Sequence, residues 1–291
     1  MIAIILCFLL IAFPQRALDG AGLGLDICLK AVIPSLLPFM LVSSMAVSCG
    51  WGQRLGRLLS VVLRPLFGLD GAASMCLMTG LLGGYPCGAR TAAQCVEAGI
   101  MPKKSAERIL AFCNNSGPLF IMGTAGAAVY GSTKVGMLLY ICHVIGALSA
   151  ALIFGRGSSS GDVSPQKSTS QSFGALAGAA ARDSGIAILS VCAMVITFSS
   201  VIEALDLHRL PLLVGLLEVS RGVKEIGAMG LEWLPLSAAV LSWGGLSVHF
   251  QTEAVCGGLS KKYYYIGKCI SSAASGLAML VCVKFFGESI L

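Results

Sequence analysis

Long apolar runs dominate the chain, and many of its polar interruptions fall inside the runs instead of between them. The clearest stretches of about 20 mostly apolar residues, enough to cross a bilayer as a helix, lie at about 25–48, 134–155, 186–205 and 265–286. The rest of the apolar sequence is broken. Residues 58–98 pass through Arg64-Pro65 and Asp70-Gly71 and stop at Gly83-Gly84. Residues 106–130 are cut by Asn114-Asn115-Ser116-Gly117-Pro118, and residues 210–257 carry Glu218, Arg221 and Lys224 before Gly244-Gly245. Unwound backbone at membrane depth is tolerated only where protein buries it or water lines it. The pattern therefore predicts re-entrant hairpins and half-helices among the spanning helices, with breaks in corresponding places marking a binding site.

One segment is polar throughout. Residues 157–172, GSSSGDVSPQKSTSQS, have the composition of a flexible, water-exposed linker. It divides the chain into an N-terminal membrane unit, 1–156, and a C-terminal one, 173–291. Gly83-Gly84 pairs with Gly244-Gly245 at an offset of 244 − 83 = 161, and Thr91, Ala93 and Cys95 meet Thr252, Ala254 and Cys256 at the same offset. The expectation is a pair of repeats, inverted if an odd number of spans separates them. Met1 to Phe13 lacks a basic flank and a small-residue cleavage site, and reads as a retained first span or half-span.

Composition agrees: 56% of the residues are hydrophobic and 12% charged, against roughly 25% charged in soluble domains. This is the composition of an all-α polytopic membrane protein in the lipid bilayer. The net charge of +6 suits loops facing anionic headgroups, and no basic tract interleaved with aromatics suggests nucleic acid. Basic clusters occur at Arg54 and Arg57, at Lys103, Lys104 and Arg108, and at Lys261, Lys262 and Lys268. Inverted repeats would place equivalent loops on opposite sides, so these clusters leave the orientation open. The 12 Cys are scattered without a CxxC pair, which gives neither a disulfide framework nor a zinc site. No nucleophile elbow, phosphate loop, metalloprotease motif or dinucleotide fingerprint is present, so an enzyme is not expected, nor a cofactor or a metal.

The candidate chemistry sits at the breaks. A half-helix starting near Pro86 would present free N–H groups to a carboxylate or phosphate beside Gly83, Gly84 and Gly88. Arg90 on its first turn would add a forked donor, or snorkel to the headgroups. Asn114, Asn115 and Ser116 in an apolar run either hold a small polar solute or ion, or hydrogen-bond across helices. Glu218 follows the run Leu210 to Leu217 and either couples transport to an ion or pairs with Arg221 three residues on. Behind Gly244, Gly245 and Ser247, His249 and Gln251 either take part in coupling or bond across the interface between repeats. His249 with Glu253 lacks a third metal ligand. His143, in the run Leu138 to Leu152, reads as a helix-packing histidine.

GGYPCGARTAAQCVEAGIMPKKSAERILAFCNNSGPLFIMG, from Gly83, together with LLEVSRG (Leu216 to Gly222) and GGLSVHFQ (Gly244 to Gln251), resembles the YlbJ/SpoVV family of sporulation integral membrane proteins. These carry a nucleoside-recognition, or Gate, domain. The resemblance runs from about Pro34 to Phe286. It implies a concentrative-nucleoside-transporter-like core of two inverted repeats with re-entrant hairpins and broken helices. It also implies a cell-membrane or forespore-membrane location and movement of dipicolinate, a rigid aromatic dianion, during endospore formation. Cys87 departs from the small residue, often Ser, expected there. The expectation is a transporter of a small anionic solute, coupled to a proton or sodium and open to homo-oligomer formation. In it Arg90 and the amides at Gly83, Gly84 and Gly88 hold carboxylate. Asn114, Asn115, Ser116, Gly244, Gly245 and Ser247 orient the solute, and Glu218, His249 and Gln251 couple it. A nucleoside carrier and a non-transporting spore-membrane assembly protein are the alternatives.

Overall fold

A computed structural model describes residues 2–48, 51–156 and 172–290. Among them every regular element is a helix. The linker lies outside the described residues except Ser172, whose hydroxyl accepts the Ala175 N–H at 3.3 Å and caps the helix that follows.

The elements run α1 (Ile2–Ala12), α2 (Pro14–Ile27), a π-helical turn (Cys28–Val32), α3 (Ile33–Ser48), α4 (Trp51–Phe67), α5 (Gly71–Gly83), α6 (Cys87–Glu97) and α7 (Lys103–Cys113). A π-helix (Leu119–Val129), α8 (Thr133–Phe154) and α9 (Phe173–Ala204) follow. The chain continues through α10 (Pro211–Leu217), α11 (Val219–Gly227), α12 (Leu234–Trp243), α13 (Gly245–Val255) and α14 (Lys262–Ile290), with short 3₁₀ turns before α10 and α12. Among the described residues, four stretches are long and apolar enough to cross a bilayer: Pro14–Val42, Thr133–Phe154, Phe173–Ala204 and Lys262–Phe285. The pair Gly56–Phe67 and Gly71–Gly83, bent by 99°, would make a fifth. The protein is thus an all-helical, multi-pass membrane protein. At 11 residues, α1 extends about 16 Å, half the hydrocarbon thickness.

The spans at Thr133 and Lys262 start close to their expected bounds, but two others start earlier. The run expected at 186–205 is the end of α9, which begins at Phe173 and carries Arg182 and Asp183 within it. The run expected at 25–48 belongs to a span that begins at Pro14, placed just inside the helix start where its missing N–H costs nothing.

Large apolar side chains face outward. On α8, Met137, Ile141, Ile145 and Leu152 are exposed, while Leu139, His143, Gly146, Ala147 and Ala150 are buried. Small residues bring the helices together. Gly20 and Gly24 of α2 lie against the α9 backbone at Ser199, Ser200 and Ile196, where a Cβ would collide. Gly146 of α8 meets the Ser271 carbonyl of α14, and Gly267 of α14 meets Ala111 at the end of α7. In lipid, helix association depends on such close contact, because burial from water contributes little between helices.

The order of elements repeats. From α5 to α8 the chain makes helix, break, helix, helix, break, helix and long span, and from α10 to α14 it does so again. In this order Gly84 stands where Glu218 stands, and Asn115 stands where Gly244 stands. The starts of the closing spans differ by 262 − 133 = 129, not 161. Gly83-Gly84 and Gly244-Gly245 therefore occupy different places in the two series.

Candidate functional site

Each break is shaped by residues that cannot continue a helix. Gly84 adopts φ 75°, ψ −177°, a conformation in effect reserved for glycine. Its chain turns so that α6 starts at Cys87. Asn114 ends α7 in extended conformation. Asn115 folds its amide back onto the Phe112 carbonyl at 2.8 Å, and Pro118 opens the π-helix. Glu218 caps α11, accepting the Arg221 N–H at 2.7 Å. Gly244 and Gly245, at φ 90° and 79°, turn the chain into α13.

The breaks meet. A Cβ on Gly84 would lie 3.1 Å from the Gly117 nitrogen, and one on Gly245 would lie 3.1 Å from Val219 N and 3.2 Å from Glu218 Cα. The tip of each turn therefore rests on the backbone of another break. Gly88 and Gly80 face the Cys113 carbonyl so closely that a side chain on either would overlap it. Gly83 is buried at the end of α5.

A buried hydrogen-bond network ties the two halves together. Asn114 donates from Nδ2 to Thr252 Oγ1 at 2.7 Å. Thr252 contacts Tyr264, and Tyr264 shares a 2.7 Å bond with His249 Nδ1. The Ser116 N–H donates to His143 Nε2 at 3.1 Å, so Nε2 is unprotonated, Nδ1 carries the hydrogen, and that hydrogen is directed at Ser242 Oγ, 2.8 Å away. Tyr85 donates to the Leu241 carbonyl at 3.3 Å and accepts from Lys268 Nζ at 2.7 Å. Lys268 also donates to the Asn114 carbonyl at 2.9 Å.

A small pocket opens beside this network. Ser116 and Gly117 from one break, Glu218, Val219 and Ser220 from another, and Gln251 from α13 line it together with Tyr85. Its other walls are apolar: Val32, Leu36, Phe120, Val191, Val195 and Val248. Two of these, Val32 and Phe120, lie on the π-helical segments, a form enriched at functional sites. Glu218 Oε1 and Gln251 Oε1 are buried without a partner, as are Asn114 Oδ1, Ser247 Oγ and His249 Nε2 nearby in the chain. Buried polar atoms without partners are rare in native folds and call for an explanation.

The candidate residues do not all come together. Arg90 does not join Asn114, Asn115 and Ser116. It lies in a separate cleft with Thr79, Thr91 and Gln94, and pairs with Asp183 at 3.2 Å. The Arg221 guanidinium does not neutralise Glu218. It reaches Glu203 at 2.8 Å and Glu225 at 3.4 Å, in a cluster with His208. His249 and Glu253 diverge: His249 packs on Trp243 and Tyr264, while Glu253 accepts from Tyr265. No group of three His, Cys, Asp or Glu suited to a metal exists among the described residues.

Three central residues escaped the sequence reading. Lys268 is only 2% exposed and belongs to no basic loop. Its position within the apolar start of α14 was the available signal, since an ionisable group inside a span is a functional hypothesis by default. His143 is a cross-link between a break and α12, not a packing residue alone. Tyr264, fully buried on α14, lay in a tyrosine run whose inward member the pattern does not single out.

The sequence matches the nucleoside-recognition (Gate) family profile over residues 29–262. It is 32% identical over 142 residues to the sporulation integral membrane protein YlbJ of Bacillus subtilis strain 168. That match covers 49% of this chain and 35% of the relative, so the chain spans about a third of the relative's length. No solved structure matches. With four-fifths of its length inside the family profile, this multi-pass membrane protein belongs to the Gate, nucleoside-recognition, family.

Proposed function

We propose that the protein is a carrier for a small solute with a flat ring and an anionic or hydrogen-bonding edge, with dipicolinate the sharpest candidate. The observation that carries this reading is a pocket lined by the starts of two helices, the π-helix through Gly117 and Phe120 and α11 through Glu218, Val219 and Ser220. Helix N-termini present unpaired N–H groups and roughly half a positive charge each, and so favour a carboxylate. The apolar walls suit ring faces, and Ser116, Ser220 and Gln251 supply the polar edge.

In this reading the carboxylates are held by helix N-termini, Ser116 and Gln251, not by Arg90. Glu218 would repel a dianion unless its unpartnered oxygen bears a proton. A protonated Glu218 donates to the solute carboxylate, so one proton accompanies each solute. Asn114, Asn115, Ser247 and His249 hold the surrounding network in place. The halves 1–156 and 173–291 act as inverted repeats of the concentrative-nucleoside-transporter kind, in the register of 129 set by element order. The name of the YlbJ relative supports a sporulation setting.

A nucleoside is the second reading. The family description favours it, as does Glu218, whose acceptor oxygens suit sugar hydroxyls. Purified protein in liposomes, given labelled dipicolinate and labelled nucleosides under proton and sodium gradients, tests these readings. Saturable dipicolinate uptake driven by a proton gradient is expected. Uptake of nucleosides alone moves the substrate. No saturable uptake of either leaves a spore-membrane assembly role and overturns the carrier.

A further inference from the structure

Lys268 presents an unusual arrangement. Its side chain is 2% exposed, and both oxygens that accept from Nζ belong to uncharged groups, the Tyr85 hydroxyl at 2.7 Å and the Asn114 carbonyl at 2.9 Å. Nζ also lies 4.7 Å from the centroid of the Tyr85 ring, in cation–π range. Asn114 is the C-cap of α7, where unpaired carbonyls and the negative end of the helix dipole favour a cation. The Tyr85 hydroxyl hydrogen is directed at the Leu241 carbonyl, so its oxygen lone pairs face Nζ.

These groups have the composition of a cation seat: a backbone carbonyl freed by a broken helix and a hydroxyl oxygen. Hard alkali cations bind oxygens of this kind, and carriers use such unwound carbonyls to hold a coupling cation. The seat lies at the joint of both halves, since Tyr85 and Asn114 come from the first two breaks and Lys268 from α14. The Lys268 stem enters from α14, and Tyr264, one turn earlier, joins the same network through Thr252 and His249.

We propose that the Lys268 ammonium is a tethered cation that fills the seat between Asn114 and Tyr85, so that the breaks close on each other without a bound alkali-metal ion. It is a positioning residue. It holds Tyr85, which lines the pocket, and fixes the end of α7 next to Ser116. The proposal deepens the carrier reading, but its central test does not depend on transport.

Full-length protein in detergent is melted in sodium chloride and in equimolar choline chloride, as wild type, Lys268→Ala and Lys268→Met. Wild type should melt at the same temperature in both salts. Both variants should melt lower. Propylammonium, which replaces the atoms removed in Lys268→Ala, should raise that variant's melting temperature by at least about 2 °C, and isosteric 1-propanol should not. Four results would each overturn the proposal. These are selective stabilisation of wild type by sodium, Lys268→Met equal to wild type, 1-propanol as effective as propylammonium, or a folded Lys268→Ala that ignores propylammonium. The salt comparison needs no variant, so it decides the matter even if both variants fail to fold. In liposomes, labelled dipicolinate uptake should run equally in sodium and choline. Absence of all uptake would sink the carrier reading and leave the melting results standing.

Discussion

Replacing Gly84 by Ala probes the contact between the first turn and the broken helix beneath it. The backbone at Gly84, φ 75° and ψ −177°, lies in a region that costs any other residue about 1–3 kcal/mol. The new Cβ would also stand 3.0 Å from Leu36 Cδ2 and 3.1 Å from the Gly117 nitrogen. Leu36 can rotate away, but Gly117 is backbone and must move with its break, at an overpacking cost of about 1–3 kcal/mol. The sum is about 2–6 kcal/mol. Gly99 supplies the control: its φ is 68°, yet a Cβ there meets nothing within 4 Å. Gly99→Ala should lose only the strain of a left-handed residue, about 1–2 kcal/mol. At about 2–4 °C per kcal/mol, thermal melting in detergent separates the two variants. Binding of labelled dipicolinate adds a second measure, because Gly117 lines the pocket and Gly99 does not. Gly84→Ala should weaken binding and Gly99→Ala should leave it unchanged. Equal melting shifts, with equal binding, would refute the idea that the turn is seated on the break.

Further expectations concern single side chains. Glu218→Gln keeps an oxygen able to accept the Arg221 N–H, so melting should change by less than about 1 kcal/mol while uptake in liposomes loses its dependence on a proton gradient; an unchanged gradient response would remove Glu218 from coupling. Arg221→Met removes the guanidinium from Glu225 and from Glu203, which keeps His208 at 2.7 Å, and should cost about 1–3 kcal/mol by melting, with Arg221→Lys only a partial repair because one ammonium replaces a planar fork. Arg90→Ala and Asp183→Ala break a half-exposed pair and should each cost less than about 1 kcal/mol, with dipicolinate affinity retained; loss of affinity in Arg90→Ala would return the carboxylate to Arg90. A double-mutant cycle of Asn114→Ala and Thr252→Val should yield a coupling energy of about 0.5–1.5 kcal/mol in melting, and a value near zero would remove this bond from the joint.

The breaks were legible because their causes are local. Gly-Gly, Gly-Pro and a run of amides disturb a helix wherever it sits. The partners of the charged groups were not legible, because partner choice is tertiary. Lys268 looks no different from Lys261 and Lys262 along the chain, yet α14 turns it inward while its neighbours remain exposed or half-exposed. Glu218 and Arg221 stand at helical spacing, but the start of α11 directs one side chain back to cap it and the other out to Glu203. The early start of α9 was hidden by Arg182 and Asp183, and Asp183 faces the cleft of Arg90, not lipid.

The joint between the halves has energetics that suit a protein with two states. Its cross-links are Tyr85 to Leu241, Asn114 to Thr252, His143 to Ser242, and Lys268 to both Tyr85 and Asn114. An intramolecular hydrogen bond contributes about 0.5–1.5 kcal/mol net, and more where one partner is charged. Together they amount to a few kcal/mol, beside the close small-residue packing that holds α2 on α9 and α8 on α14. A carrier needs a gap of that size between its conformations, small enough for a solute's differential affinity to reverse. The glycines at 84 and 245 add no side-chain interlock, so each turn can leave its seat without dragging a side chain through a packed wall. On the carrier reading, the turns and their network therefore separate and re-form, while the long spans remain packed as they are.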